Sequence, residues 1–307
     1  MELIRGLHNI QAQHHGCVAT IGNFDGVHRG HQAILEQIRS LGRSQSLPTL
    51  LITFEPYPRE FFAPGNAPTR LTRFREKVCE LSNHTLDRVL LLRFGEALSS
   101  MNPTAFVEEL LLEKLGVRAL VVGEDFRFGQ RAEGNFDFLS SCGERLGFEV
   151  HCQETYLLQG VRVSSSRVRD ALSEGDLTAA AELLGRPYSV LGKVAPGRQL
   201  GRTIGFPTAN IQLRRISTPL SGVFAVRAHG LAERPLAAMA NLGTRPTVDG
   251  TQLLLEVHIF DFSEDIYGRE LRIEFVQKLR DEVKFDGIDA LKAQLAKDMV
   301  AARQALA

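Results

Sequence analysis

The chain lacks any apolar run that could cross a bilayer as a helix, which takes about 20 residues. Segments such as Val89-Leu90-Leu91-Leu92 and Ala119-Leu120-Val121-Val122 are strand-sized. The opening Met1-Glu2-Leu3-Ile4-Arg5-Gly6 has no apolar secretory core, so the sequence predicts a cytoplasmic protein with no membrane partner. Charge of one sign is also missing: 36 Lys and Arg face 36 Asp and Glu. A protein that grips phosphate backbones broadly shows a basic excess, so nucleic acid is not an expected partner. Cysteine is sparse. Cys17, Cys79, Cys142 and Cys152 form no C-x-x-C pair, and free thiols are expected rather than disulfides or zinc. No G-x-G-x-x-G opens the first predicted helix, which argues against a nicotinamide-linked redox enzyme. Internal repeats and low-complexity stretches are absent too.

What remains is an ordinary globular composition, 44% hydrophobic and 23% charged over 307 residues, a length that suggests two domains. From Cys17 to Cys152, β-rich runs alternate with helical ones. Strands are predicted over Cys17 to Ile21, Thr49 to Phe54, Val89 to Phe94, Ala119 to Val122 and Phe148 to Cys152. Helices are predicted over Gly30 to Leu41, Leu71 to Leu81 and Phe136 to Leu146. Asn102-Pro103 opens another helix, running to Leu115. This alternation implies an α/β domain with a parallel sheet, whose ligands bind beyond the C-terminal strand ends. Short helices over Arg167 to Leu172 and Leu177 to Leu184 precede a boundary at Gly185-Arg186-Pro187, giving domains 1–185 and 186–307. The second half predicts strands Val190 to Val194, Val223 to Ala228, Leu236 to Leu242, Leu253 to Phe260 and Leu271 to Val276, without intervening helices. It is therefore all-β, a small antiparallel barrel. A terminal helix bearing Ile288, Leu291, Leu295 and Met299 on one stripe should pack on it.

Two segments carry chemistry. The first, Gly22-Asn23-Phe24-Asp25-Gly26-Val27-His28-Arg29-Gly30-His31, joins the first predicted strand to its helix. Helix N-termini attract phosphate, and two histidines three apart can face one bound group. Alone, H-x-x-H reads as exposed helix-start residues or as part of a metal site; its place in an α/β domain favours phosphate chemistry. Val163-Ser164-Ser165-Ser166-Arg167-Val168-Arg169 puts serines where they can cap a helix. After a further strand, Asp125-Phe126-Arg127-Phe128 offers an apolar wall and a cation, suited either to a flat ligand ring with a phosphate or to packing under a loop.

The second segment is Gly197-Arg198-Gln199-Leu200-Gly201-Arg202-Thr203-Ile204-Gly205-Phe206-Pro207-Thr208-Ala209-Asn210. Glycines every four residues can wrap phosphates, or can simply make a turn. The P-loop lysine is missing. Thr208 and Asn210 point the same way in an extended chain, and both offer hard oxygens suited to Mg²⁺. Glu256 interrupts an apolar strand, either as a base for a hydroxyl or as part of a wet face.

These motifs resemble a known family. His28-Arg29-Gly30-His31 is similar to the H-x-G-H signature of nucleotidyltransferases, which have a Rossmann-like fold. The serine run resembles their second signature, with Val163 for Ile, Ser166 for Thr, and Arg169 as the matched arginine. Gly123 to Gly129, the glycine-rich segment with Thr208 and Asn210, and Glu256-x-His258-x-x-Asp261-Phe262 resemble the bacterial bifunctional riboflavin kinase/FAD synthetase family, as do Asn241 to Thr247 and Leu279 to Phe285. The resemblance implies that the barrel phosphorylates riboflavin with ATP to FMN, and that the first domain adenylylates FMN with a second ATP to FAD. His28 and His31 would be catalytic there. Gly22, Asn23, Phe24, Asp25, Ser164, Ser165 and Arg169 would bind ATP, with Asp125, Phe126, Arg127 and Phe128 near the flavin. In the kinase, Gly197, Gly201, Arg202, Gly205, Phe206, Pro207, Thr208 and Asn210 would hold ATP. Thr208 and Asn210 would take Mg²⁺, Glu256 would be the base, and Arg280 would lie in a flap near the flavin or in a surface salt bridge.

Overall fold

A computed structural model describes residues 1–197, 201, 204–215, 217–247 and 250–307, with backbone alone for 245–247 and 250–252. They divide into two compact units, Met1–Pro68 with Lys77–Ser164, and Thr69–Glu76 with Ser165–Ala307.

The first unit is built on a six-stranded parallel sheet. Its strands are β1 (Glu2–Arg5), β2 (Cys17–Ile21), β3 (Thr49–Glu55), β4 (Arg88–Arg93), β5 (Val117–Gly123) and β6 (Glu149–Gln153), in the order β1-β4-β3-β2-β5-β6. Alternate residues feed two cores. Cys17, Ala19, Ile21, Leu50, Ile52 and Phe54 pack on one face, and Val18, Leu51, Val89 and Val121 on the other. A sheet buried on both faces reads as continuous apolar runs, which is why β2 to β5 are visible in the sequence. The sequence misses β1. Its four residues lie at the sheet edge, and Ile4 alone among them is buried.

The helices follow expectation with local differences. Arg29–Gln45 and Phe136–Leu146 form as predicted, the second capped by Asn135 Oδ1 accepting the Phe138 N–H. Asn102 caps Pro103–Ala105, but the segment continues as a π-helix over Phe106–Lys114, whose wider turns bury Phe106, Val107, Leu110 and Leu111 together. The helix expected from Leu71 begins at Phe74. A small hairpin, β7 (Leu157–Leu158) and β8 (Val161–Arg162), precedes Ser164.

The second unit is a closed antiparallel barrel of β9 (Ser189–Ala195), β10 (Ala209–Gln212), β11 (Gly222–His229), β12 (Leu236–Thr247), β13 (Gly250–Ile259) and β14 (Glu270–Arg280), ordered β10-β13-β12-β11-β14-β9. The sequence misses β10, because its four residues carry little apolar alternation. Helices Ser165–Glu174 and Leu177–Leu184 belong to this unit. The terminal helix Ile288–Leu306 packs Leu295, Met299 and Ala302 against Ala225, Met239 and Leu279. Ile288 stays 67% exposed, since it begins the helix before the stripe reaches the barrel.

Candidate active sites

In the first unit the loop after β2 leaves the C-terminal edge of the sheet and turns into helix Arg29–Gln45. Phe24 (φ 49°), Gly26 (φ 82°) and Val27 (φ 45°) hold left-handed backbone. For a β-branched valine that is a true outlier, the kind of strain a structure retains where geometry is demanded. His28 is the N-cap: its Nδ1 accepts the His31 backbone N–H at 3.3 Å. The His28 and His31 rings stack with centroids 3.7 Å apart, and Phe24 stacks on the other side of His31 at 4.5 Å. Burial above all, then the charges of His28 and Lys77, lower the His31 pKa well below its ordinary value. Its Nδ1 is buried with no hydrogen-bond partner among the described residues.

Around the histidines, Asp25 is buried and lies 3.5 Å from Tyr57 Oη. Asn23 presents its carbonyl to Lys77 Nζ at 2.8 Å. Gly30 explains the glycine of the first signature. A Cβ there would stand 3.3 Å from the His28 ring and 3.6 Å from Val163 O, so helix start and second signature meet at that glycine. Ser164 ends the first unit. Ser165 opens helix Ser165–Glu174 in the second, where Arg169 Nε donates to Thr69 O. Asp125 is paired with Arg162, and Arg127 Nη1 donates to Phe126 O. Phe128 packs in the core against Phe106 and stacks with Phe126 at 5.6 Å.

In the second unit a cavity of about 460 Å³ opens on the outer face of the barrel. On β13, Leu253, Leu255, Val257 and Ile259 are buried while Leu254, Glu256 and His258 alternate with them and line the cavity. Met239, Asn241 and Gly243 do the same on β12. Glu256 pairs directly with Asn210 of β10 on one side and Asn241 of β12 on the other. Directly opposed residues share a face with Cβ atoms about 5 Å apart, so one polar row crosses three strands.

The glycines fit closely around that row. A Cβ at Gly197 would collide with the Asn210 side chain, and one at Gly201 with Phe206 O, beside Thr208 Oγ1. Gly205 has φ 87°, and Pro207 O accepts from His258 Nδ1 at 2.8 Å. Gly201, Phe206, Thr208, Glu256 and Arg280 all line the cavity; Arg202 lies outside the described residues. Arg280 forms its ion pair with a buried carboxylate and not at the surface. It lines the cavity, while its Nε and Nη2 hold the buried Asp298 at 3.0 and 2.7 Å.

Sequence reasoning gave no role to Asn241, Glu282 or Lys77. Asn241 Nδ2 donates to Glu282 Oε1 at 3.2 Å within the cavity. The signal available was the period of two through Asn241 and Gly243, matching Glu256 and His258.

A family described as FAD synthetase matches residues 10–167, and one described as riboflavin kinase matches residues 184–306. The chain is similar to the bifunctional riboflavin kinase/FMN adenylyltransferase of Escherichia coli (strain K12), 48% identical over 99% of this chain and 97% of that one. It is similar to those of Pseudomonas fluorescens, at 47% over 99% and 97%, and Haemophilus influenzae, at 44% over 99% and 98%. A crystal structure from Streptococcus pneumoniae, described as a macrolide-efflux protein, is 29% identical and covers 99% of each chain with a TM-score of 0.85. Among the described residues no helix is long and apolar enough to cross a membrane.

Proposed function

This chain belongs to the bifunctional riboflavin kinase/FMN adenylyltransferase family, and from that premise we propose how its residues divide the two reactions. The enzyme phosphorylates riboflavin with ATP, giving FMN and ADP, and then adenylylates FMN with a second ATP, giving FAD and pyrophosphate. We assign adenylyl transfer to residues 1–185 and phosphorylation to 186–307, in keeping with the matched spans 10–167 and 184–306. The enzyme acts in the cytoplasm.

The row Asn210–Glu256–Asn241 carries the kinase reading. Glu256 accepts the proton of the ribityl 5′-hydroxyl as that oxygen attacks the γ-phosphorus of ATP. Gly197, Gly201, Gly205, Phe206 and Pro207 enclose the triphosphate. Thr208 and Asn210 are hard oxygen donors held against the glycine cradle, a donor set that fits Mg²⁺. When bound, the ion neutralises charge on the phosphate oxygens. Arg280 borders the flavin.

In adenylyl transfer the FMN phosphate attacks the α-phosphorus of ATP and pyrophosphate leaves. No protein nucleophile is needed. The stacked His28 and His31 stabilise charge developing at phosphorus, while Gly22, Asn23, Phe24, Asp25 and Ser164 hold the nucleotide. Asp125, Phe126, Arg127 and Phe128 form the flavin side, where the Phe126–Phe128 stack supplies an apolar edge.

Chromatography of the flavins during incubation with riboflavin, ATP and Mg²⁺ tests the reading. FMN should appear first and FAD after it. A chain that makes neither FMN from riboflavin nor FAD from added FMN would overturn it.

A further inference from the structure

The loop that presents the two histidines is strained, and Lys77 sits beneath it. Lys77 lies on helix Phe74–Leu81 with none of its surface exposed. Its Nζ donates to Asn23 O at 2.8 Å and to Thr53 Oγ1 at 3.0 Å, and stands 4.8 Å from the centre of the Tyr57 ring. Burying an ammonium group is expensive even with partners. A fully buried lysine against the backbone of a reacting loop therefore calls for an account beyond packing.

Its position in the chain of contacts supplies one. Asn23 precedes Phe24, whose left-handed backbone swings the ring onto His31. His31 in turn stacks on His28, whose Nδ1 caps the helix. Val27, also left-handed, closes the same loop. Strained residues of this kind persist only where their surroundings over-determine them, and the Asn23 carbonyl is where Lys77 acts. The ammonium is also close enough for its charge to bear on His31.

We propose that Lys77 is a positioning residue for adenylyl transfer: by holding the Asn23 carbonyl and Thr53 Oγ1 it fixes the Gly22–His28 loop, and through Phe24 it sets the His31 ring against His28. The ammonium acts through the loop and needs no contact with the reacting phosphorus. The role rests on the adenylyl-transfer reading of the histidine site, so wild-type FAD synthesis from FMN is measured alongside every variant. A wild-type chain that makes no FAD would sink that reading; an active one leaves the role of Lys77 to the variants.

Lys77→Met fills the same space without a donor, while Lys77→Gln keeps an N–H donor without the charge. Each is compared as the full chain in FMN-to-FAD conversion, in riboflavin phosphorylation, and in hydrogen exchange at the Cys17–Ile21 amides, which gives the folded fraction of the first unit. Corrected for that fraction, Lys77→Met should lower kcat for FAD synthesis about 10²-fold, the scale of an ångström misplacement. The KM for ATP should stay within about threefold, since the phosphate-binding groups remain, and phosphorylation should persist. Lys77→Gln should recover kcat to within about tenfold of wild type. An unchanged kcat per folded Lys77→Met molecule would overturn the proposal. So would a Lys77→Gln variant no better than Lys77→Met, because the donor would then not be what matters.

Discussion

Asn210 and Glu256 stand directly opposite one another on neighbouring antiparallel strands of the barrel. The amide assigned to the metal-bound triphosphate and the carboxylate assigned as base therefore share one rigid face. Glu256→Gln keeps the shape and removes the base. Phosphorylation of riboflavin should fall about 10²- to 10⁴-fold, while conversion of supplied FMN to FAD continues. Equal loss of both activities would break the division of labour.

Gly197 is needed for space rather than for backbone freedom. A Cβ at that position collides with the Asn210 side chain, so Gly197→Ala should push Asn210 out of line. Kinase kcat should fall at least about tenfold, with thermal unfolding little changed because the site lies on the barrel's outer face. A fully active Gly197→Ala enzyme would show that Asn210 does not depend on this contact.

His31→Ala should lower FAD synthesis by about 10²- to 10³-fold, the usual effect of losing one preorganised donor, and should spare FMN formation. His28→Ala should add a stability loss of about 1 kcal/mol, because His28 also caps helix Arg29–Gln45. Initial rates and melting curves of the two variants separate the effects.

Burial first, then the charges of His28 on the same turn and Lys77 on helix Phe74–Leu81, keep the folded His31 neutral well below its ordinary pKa of 6.5. Asp25 is the acidic group of the same loop. Between the two pKa values the unfolded chain binds a proton that the folded chain does not. The stability linked to His31 is thus complete above about pH 6.5 and is lost as pH falls towards the lower, folded value. Amide-exchange protection of Cys17–Ile21, corrected for intrinsic rates, should drop over that range. His31→Gln should flatten the profile; an unaltered slope would mean that His31 is not the group titrating.

Arg280 and Asp298 join β14 to the terminal helix, and Gln294 Nε2 also donates to Asp298 Oδ1 at 2.8 Å. Asp298→Ala leaves a mostly buried guanidinium without its carboxylate and should cost about 3 kcal/mol. It should also raise the KM for riboflavin, since Arg280 lines the cavity. Calorimetry and initial-rate kinetics test the two effects separately.

The sequence by itself determined the two fold classes, because the sides that strands and helices bury are local properties. Continuous apolar runs marked β2 to β5, and alternation along β13 put Glu256 and His258 on one face. The H-x-G-H segment was legible because helix entrance, glycine and imidazoles are contiguous. Tertiary structure decided the partners. Periodicity tells which face a residue takes and says nothing about what stands opposite, so the meeting of Asn210, Glu256 and Asn241 depended on the strand order of the closed barrel. Lys77 in Phe74-Arg75-Glu76-Lys77 reads as a solvated helix residue until β3 and the Gly22–His28 loop close over it. Arg280 likewise has two plausible environments in sequence, and only the packing of the final helix gives it Asp298. Short β1 and β10 went unread for the same reason: their pairing comes from neighbours distant in the chain, and four residues carry too little pattern to announce it.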